Sequence, residues 1–93
     1  MLKITQGKGF HMTFENGNTI SVQFGAGNYC GNHDEEFPSD IPKKTTCEDA
    51  EIAIWDKNGK WLTKEYLDKG DDVLGWLTAD EVLKAMIWTA NRV

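Results

Sequence analysis

The 93-residue chain predicts one α+β domain: an antiparallel sheet of about four strands, made of two β-hairpins and packed on one face by a C-terminal helix. Three observations predict it. Residues 10–24 and residues 50–64 each carry apolar patterning on both sides of an Asn-Gly turn, a strong short-range hairpin signal. Residues 78–92 open on a helix-capping sequence and continue with apolar positions at helical spacing. A chain of this length supports one modest core and not two.

The first hairpin is the best patterned. Phe10, Met12 and Phe14 alternate with His11, Thr13 and Glu15; beyond the turn, Ile20, Val22 and Phe24 alternate with Ser21 and Gln23. A two-residue Asn16-Gly17 loop would set Phe14 against Thr19 and mix polar with apolar side chains on both faces, since one residue of slip reverses a strand. A three-residue loop, Asn16-Gly17-Asn18, instead pairs Phe14 with Ile20, Met12 with Val22 and Phe10 with Phe24. Asn18 then takes the left-handed conformation, which Asn tolerates. One face becomes a six-residue apolar strip. The other, His11, Thr13, Glu15, Thr19, Ser21 and Gln23, is expected to face water. Lys3 to Gln6 reads as a short lead-in strand.

Residues 25–49 form a long connection, glycine-rich at Gly25-Ala26-Gly27-Asn28 and acidic beyond it. Connections of this length in a compact domain are usually solvated or functional. In the second hairpin, Asp56-Lys57-Asn58-Gly59 fits a type I turn with Gly left-handed after it, so Trp55 pairs with Trp61 and Ile54 with Leu62. Ile52, Ile54 and Leu62 share one face; Ala53, Trp55, Trp61 and Thr63 share the other. Both are apolar enough to be covered, which suits a central position or a Trp face that meets something. Lys64 to Leu74 is charged and turns at Gly70-Asp71-Asp72.

Thr78 and Glu81 make the capping box of the helix, and Leu77 is placed to staple onto Val82. Ala79, Val82, Leu83, Met86, Ile87 and Ala90 fall in one stripe at 100° per residue. Trp88 projects almost opposite that stripe, so it is expected at the surface.

The formal net charge of -5 is concentrated in the middle of the chain, where residues 30–51 hold seven acids against two Lys. Direct nucleic-acid binding depends on clustered Lys and Arg and is not expected. The first residues show no apolar h-region, and no apolar run reaches the roughly 20 residues of a membrane helix. A cytoplasmic setting follows, with Cys30 and Cys47 as thiols.

Chemistry-bearing residues are few. Cys30-Gly31-Asn32-His33, with Cys47 and His11, supplies four zinc-type donors but only one tight pair, so no metal or other cofactor is assigned. Cys30 beside His33 or His11 lacks a specified base and orienting group, so no catalytic residue is assigned and the chain reads as a non-enzyme. Asp34, Glu35 and Glu36, with Asp40, Glu48, Asp49 and Glu51, lack the alternation and central Gly of a calcium loop; they suit a basic partner. Gly25, Gly27 and Asn28 offer backbone amides to an anion, without the spacing of a nucleotide fingerprint. Trp55, Trp61 and Trp88, with Tyr29, offer aromatic surface to a partner or a stacked base.

The stretch from Gly9 to Cys30, followed by Ala50-Glu-Ile-Ala-Ile-Trp-Asp56 and Asn58-Gly-Lys-Trp61, resembles a family of small uncharacterised proteins carried by bacteriophages and prophages. The resemblance implies a bacterial host cell and supplies no activity or catalytic residue. The expected function is therefore a phage-type binder that blocks a host protein by stoichiometric contact, through the acidic loop and the exposed aromatics. A second reading is an oligomeric sponge for a host nucleotide signal, with Lys43, Lys44 and Arg92 gathered between subunits. A third is a small Cys/His zinc protein or enzyme.

Overall fold

A computed structural model describes residues 1–5, 8–25, 28–31 and 46–93. Seven elements follow in order: β1 (Leu2–Ile4), β2 (Gly9–Thr13), β3 (Thr19–Gln23), β4 (Asp49–Trp55), α1 (Thr63–Tyr66), β5 (Leu74–Thr78) and α2 (Ala79–Asn91). The strands form one antiparallel sheet in the order β1-β2-β3-β4-β5. Helix α2 packs on one face, so the fold is α+β with one strand more than expected.

The expected face of the first hairpin is correct and its register is not. Met12 pairs with Ile20 and Phe10 with Val22, two residues from the expected pairing. The loop is Glu15-Asn16-Gly17: the Phe14 amide donates to Asn18 O and the Gly17 amide to Phe14 O. Gly17, at φ +87, takes the left-handed position in place of Asn18. Moving a three-residue loop by one position shifts pairing by two, which preserves the face.

The polar face is also drier than expected. Thr19 and Ser21 are buried, and His11 and Thr13 are half-buried. They are satisfied locally: the Thr13 and Thr19 hydroxyls share a hydrogen bond, and the Gln23 amide donates to the Thr5 and Ser21 hydroxyls.

The second hairpin keeps its turn but not its second arm. Gly59 is at φ +83, Trp55 bridges Trp61, and the Leu62 amide donates to Ile54 O. The chain then leaves the sheet at α1, where the Thr63 hydroxyl accepts from the Ile54 amide. The place beside β4 belongs to β5 instead, which the charged reading of residues 64–74 does not reveal. Asp49 pairs with Thr78, Ala50 with Leu77 and Ile52 with Leu74, so Gly75 and Trp76 together oppose Glu51 in a bulge. Trp76 sits there at φ +60, alone among the described non-glycine residues, a conformation that costs about 1–3 kcal/mol.

Helix α2 carries the expected capping box on Thr78 and Glu81. Its contact face is rotated from the expected stripe. Ala85 and Thr89 are fully buried, Val82 and Met86 flank them, and Leu83 and Ile87 are each 53% exposed. Small side chains at the closest approach let the helix settle on Ile20, Ile52 and Ile54, all at 0% exposure. Trp88 corrects a further expectation. It packs against the core with its ring 5.2 Å from that of Tyr66, and it is half-buried.

The end of α2 is held from afar. Asn16 Nδ2 donates to the carbonyls of Thr89, Ala90 and Arg92, and Asn18 Nδ2 to those of Thr89 and Arg92. These carbonyls belong to the helix's last turn and to the residue that caps it, where carbonyls lack intrahelical partners. Arg92 adds a two-pronged pair with Glu65 of α1, at 2.7 and 3.0 Å.

Candidate functional site

Helix α2 covers β3, β4 and β5 and leaves β1 and β2 open on the same face. Directly paired residues of an antiparallel sheet share a face. Ile4 opposite Phe10, and Leu2 opposite Met12, therefore extend the core's apolar layer outward. Ile4 is 82% exposed and Leu2 70%. Against this floor stands the flank of α2, with Val82 and Met86 low and Leu83 and Ile87 high. An open groove of about 440 Å³ runs along this flank, lined by Phe10, Phe24, Val82, Leu83 and Met86 together with Cys47, Glu48 and Asp49; Leu2, Ile4 and Ile87 lie outside its lining. Scattered exposed aliphatics are ordinary on a protein surface. A continuous run of them rimmed by charge marks a binding surface.

The opposite face carries the tryptophan pair. Trp55 and Trp61 meet edge to face at 5.6 Å, and His11 meets Trp55 at 5.1 Å. Trp61 is 51% exposed and Trp55 half-buried. Burial, and then the nearby Lys3 charge, hold the His11 imidazole below its ordinary value of 6.5, so it prefers the neutral form. Trp88 lies with the helix and does not join this pair.

The glycine-rich loop is turned inward where it is described. The Asn28 amide donates to Gly25 O, the Cys30 amide to Asn28 O, the Tyr29 amide to Glu51 Oε2, and the Gly31 amide to Asp49 Oδ1. Two of those four acceptors are carboxylates, so these donors are engaged by the chain's own acids rather than presented to a phosphate. Tyr29 O in turn accepts from the Trp76 amide, which ties the loop to the bulge. Gly27, Asp34, Glu35, Glu36 and His33 lie outside the described residues.

Three chain segments meet beside this loop. Cys30, fully buried, and Cys47 and Asp49, both half-buried, bring their donor atoms within 4.8 Å of one another. His11 lies away from them, against Trp55. Asp49 was expected only as part of the acidic stretch. Its role beside the two thiols leaves no signature in the sequence, because β4 has to pair before Asp49 and Cys30 become neighbours. The groove was equally hidden, since it depends on how far α2 reaches across the sheet.

No protein-family model, no curated protein and no solved structure matches the chain. Fold and surfaces define a small α+β domain with an uncovered apolar groove. Among the described residues, no helix is long and apolar enough to cross a membrane.

Proposed function

We propose that the chain is a non-enzymatic binding protein that takes an amphipathic segment of a partner protein into the groove between α2 and the sheet face that carries Phe10 and Phe24. It acts by occupying that partner stoichiometrically. In the phage setting that the sequence resemblance implies, the partner is a host protein. The observation that carries this reading is the open apolar groove that Phe10, Phe24, Val82, Leu83 and Met86 line together, with Leu83 53% exposed at its edge. Glu48 and Asp49 at the groove's end favour basic residues at the edge of the bound segment. The contact site thus moves from the aromatic pair and acidic loop to the helix flank.

The test is selection of binders from a random peptide library on the folded protein, followed by calorimetric titration. Binders are expected to combine aliphatic or aromatic anchors with Lys or Arg. The doubly substituted Leu83→Asp, Ile87→Asp protein should bind them about tenfold or more weakly, a change of roughly 1.4 kcal/mol. Because both side chains are largely exposed, its melting temperature should stay near that of the parent. Trp61→Ala should leave binding unchanged. Peptides that bind the double variant as well as the parent defeat the proposal. So does a dimer of the chain that the same two substitutions dissociate, because the groove would then belong to a second copy.

A further inference from the structure

We infer that Cys30, Cys47 and Asp49 form a binding site for a thiophilic divalent cation of the zinc type, with three protein donors among the described residues. Cys47 and Asp49 also line the groove, but metal uptake needs no partner protein and is read without one, so failure of either proposal is told apart from failure of the other.

The donor atoms come from separate stretches of chain and still converge. Cys30 follows the glycine-rich loop, Cys47 precedes β4, and Asp49 is the first residue of β4. All three donor atoms lie within 4.8 Å of one another, and Cys47 Sγ is 3.8 Å from Asp49 Oδ1. Zinc bonds of roughly 2.3 Å to sulfur and 2.0–2.2 Å to oxygen require tetrahedral edges of about 3.5–3.8 Å. The cluster therefore closes on an ion through small side-chain rotations. Both cysteines are thiols.

Space and support are present around the donors. A Cβ on Gly31 would stand 3.3 Å from Cys47 Sγ and 3.6 Å from Asp49 Oδ1, so a side chain there would crowd the cluster from one side. The Gly31 amide donates to Asp49 Oδ1 at 2.6 Å and orients the carboxylate, in the way partners of metal ligands do. Two thiolates select soft or borderline ions over calcium or magnesium. On binding, each thiol releases its proton and both sulfurs donate to the ion, so two protons leave per cation and the occupied site carries one net negative charge. The ion would pin residues 28–31 to the start of β4, a connection otherwise made by hydrogen bonds from Tyr29 and Gly31 to Glu51 and Asp49.

The experiment is titration of the reduced chain with Co²⁺ and then Zn²⁺ under anaerobic conditions. One equivalent of Co²⁺ should give a sulfur-to-cobalt charge-transfer band of two-thiolate intensity, and Zn²⁺ should displace it with release of two protons. Cys47→Ser should halve the band and weaken binding by more than the roughly 10–100-fold that loss of a supporting partner costs. Asp49→Asn, which keeps an acceptor for the Gly31 amide, should weaken binding while preserving the full thiolate band. Cys47 and Asp49 are half-buried, so their variants test the site without relying on substitution of buried Cys30. Two results overturn the inference: no charge-transfer band at one equivalent, or Zn²⁺ affinity unchanged in Cys47→Ser.

Discussion

Two turns of this molecule share one design and meet different fates. Glu15-Asn16-Gly17 and Lys57-Asn58-Gly59 are both three-residue loops with the glycine left-handed, at φ +87 and +83. The second is self-contained. Asp56 Oδ1 accepts from the Asn58 and Lys60 amides, and nothing lies within 4 Å of a Cβ built on Gly59. The first has Phe14 where the second has Asp56, and its asparagines reach out to close the end of α2. The same local rule therefore makes a free corner in one place and a structural joint in the other. Sequence gives the turn; the surroundings decide what rests on it.

The largest expected effect separates the two asparagine sets. Replacing both Asn16 and Asn18 with Ala removes the five hydrogen bonds to the helix-end carbonyls, stranding those carbonyls, together with the one that Asn16 Oδ1 accepts from the Asn18 amide. At about 1–3 kcal/mol for each buried group left unsatisfied, the double variant should lose about 2–4 kcal/mol in urea unfolding. Asn58→Ala should stay within about 0.5 kcal/mol of the parent, as exposed substitutions do. Equal losses from the two turns would end the contrast.

The tryptophans sharpen it next. Trp88→Ala should cost about 2 kcal/mol, below the 3–5 kcal/mol of a fully buried aromatic because the ring is only half-buried on Tyr66. Trp61→Ala, beside the free turn, should cost about 0.2–1 kcal/mol, the worth of one cross-strand pair. A reversed order in thermal melts would mean that Trp61, not Trp88, carries core packing.

The glycines give a smaller difference. Gly17→Ala and Gly59→Ala should each lose about 1–2 kcal/mol from left-handed strain. Gly17→Ala should lose more, because its Cβ would stand 3.0 Å from Lys57 Cβ of the neighbouring turn. Adding Lys57→Gly, which removes that Cβ, should bring the two values together, and a double-mutant cycle without coupling would refute that contact.

Acid titration should give the smallest effect. Backbone donors from Lys60 and then Asn58 hold the Asp56 carboxyl below its ordinary value of 3.8. Its stabilisation is thus complete above that value and is lost as pH falls from it through the lowered folded one. Asp56→Asn should flatten that part of the stability profile, measured by urea midpoints. In the first turn Phe14 stands at the position that Asp56 holds in the second.

The legible parts of the fold are those carried by neighbours in sequence. Alternation assigned the faces of β2 and β3, the Asp56 turn fixed its own register, and Thr78 with Glu81 marked the start of α2. What stayed hidden depends on distant partners. Strand β5 breaks its alternation at the Gly75-Trp76 bulge, so Leu74 and Leu77 both point inward three residues apart. The helix stripe chosen for greatest hydrophobicity put Leu83 and Ile87 inside, whereas close approach to the sheet selects Ala85 and Thr89. The Thr89 hydroxyl fits there by donating to Ala85 O at 2.7 Å. Of the candidate sites, the tryptophan pair was readable from register alone. The groove and the Cys30, Cys47 and Asp49 cluster emerge only after the sheet is assembled.

The reach of Asn16 and Asn18 also bears on the order of events in folding. Their acceptors lie 71 to 76 positions away along the chain, so these bonds form only after the longest closure in the molecule. Contacts of that kind are made after the rate-limiting step more often than before it, and losing them speeds escape from the native state while leaving the rate of reaching it almost unchanged. The tip of the first hairpin is therefore expected to act as a latch on the finished domain, so the Asn16→Ala, Asn18→Ala variant should unfold faster with little change in its folding rate.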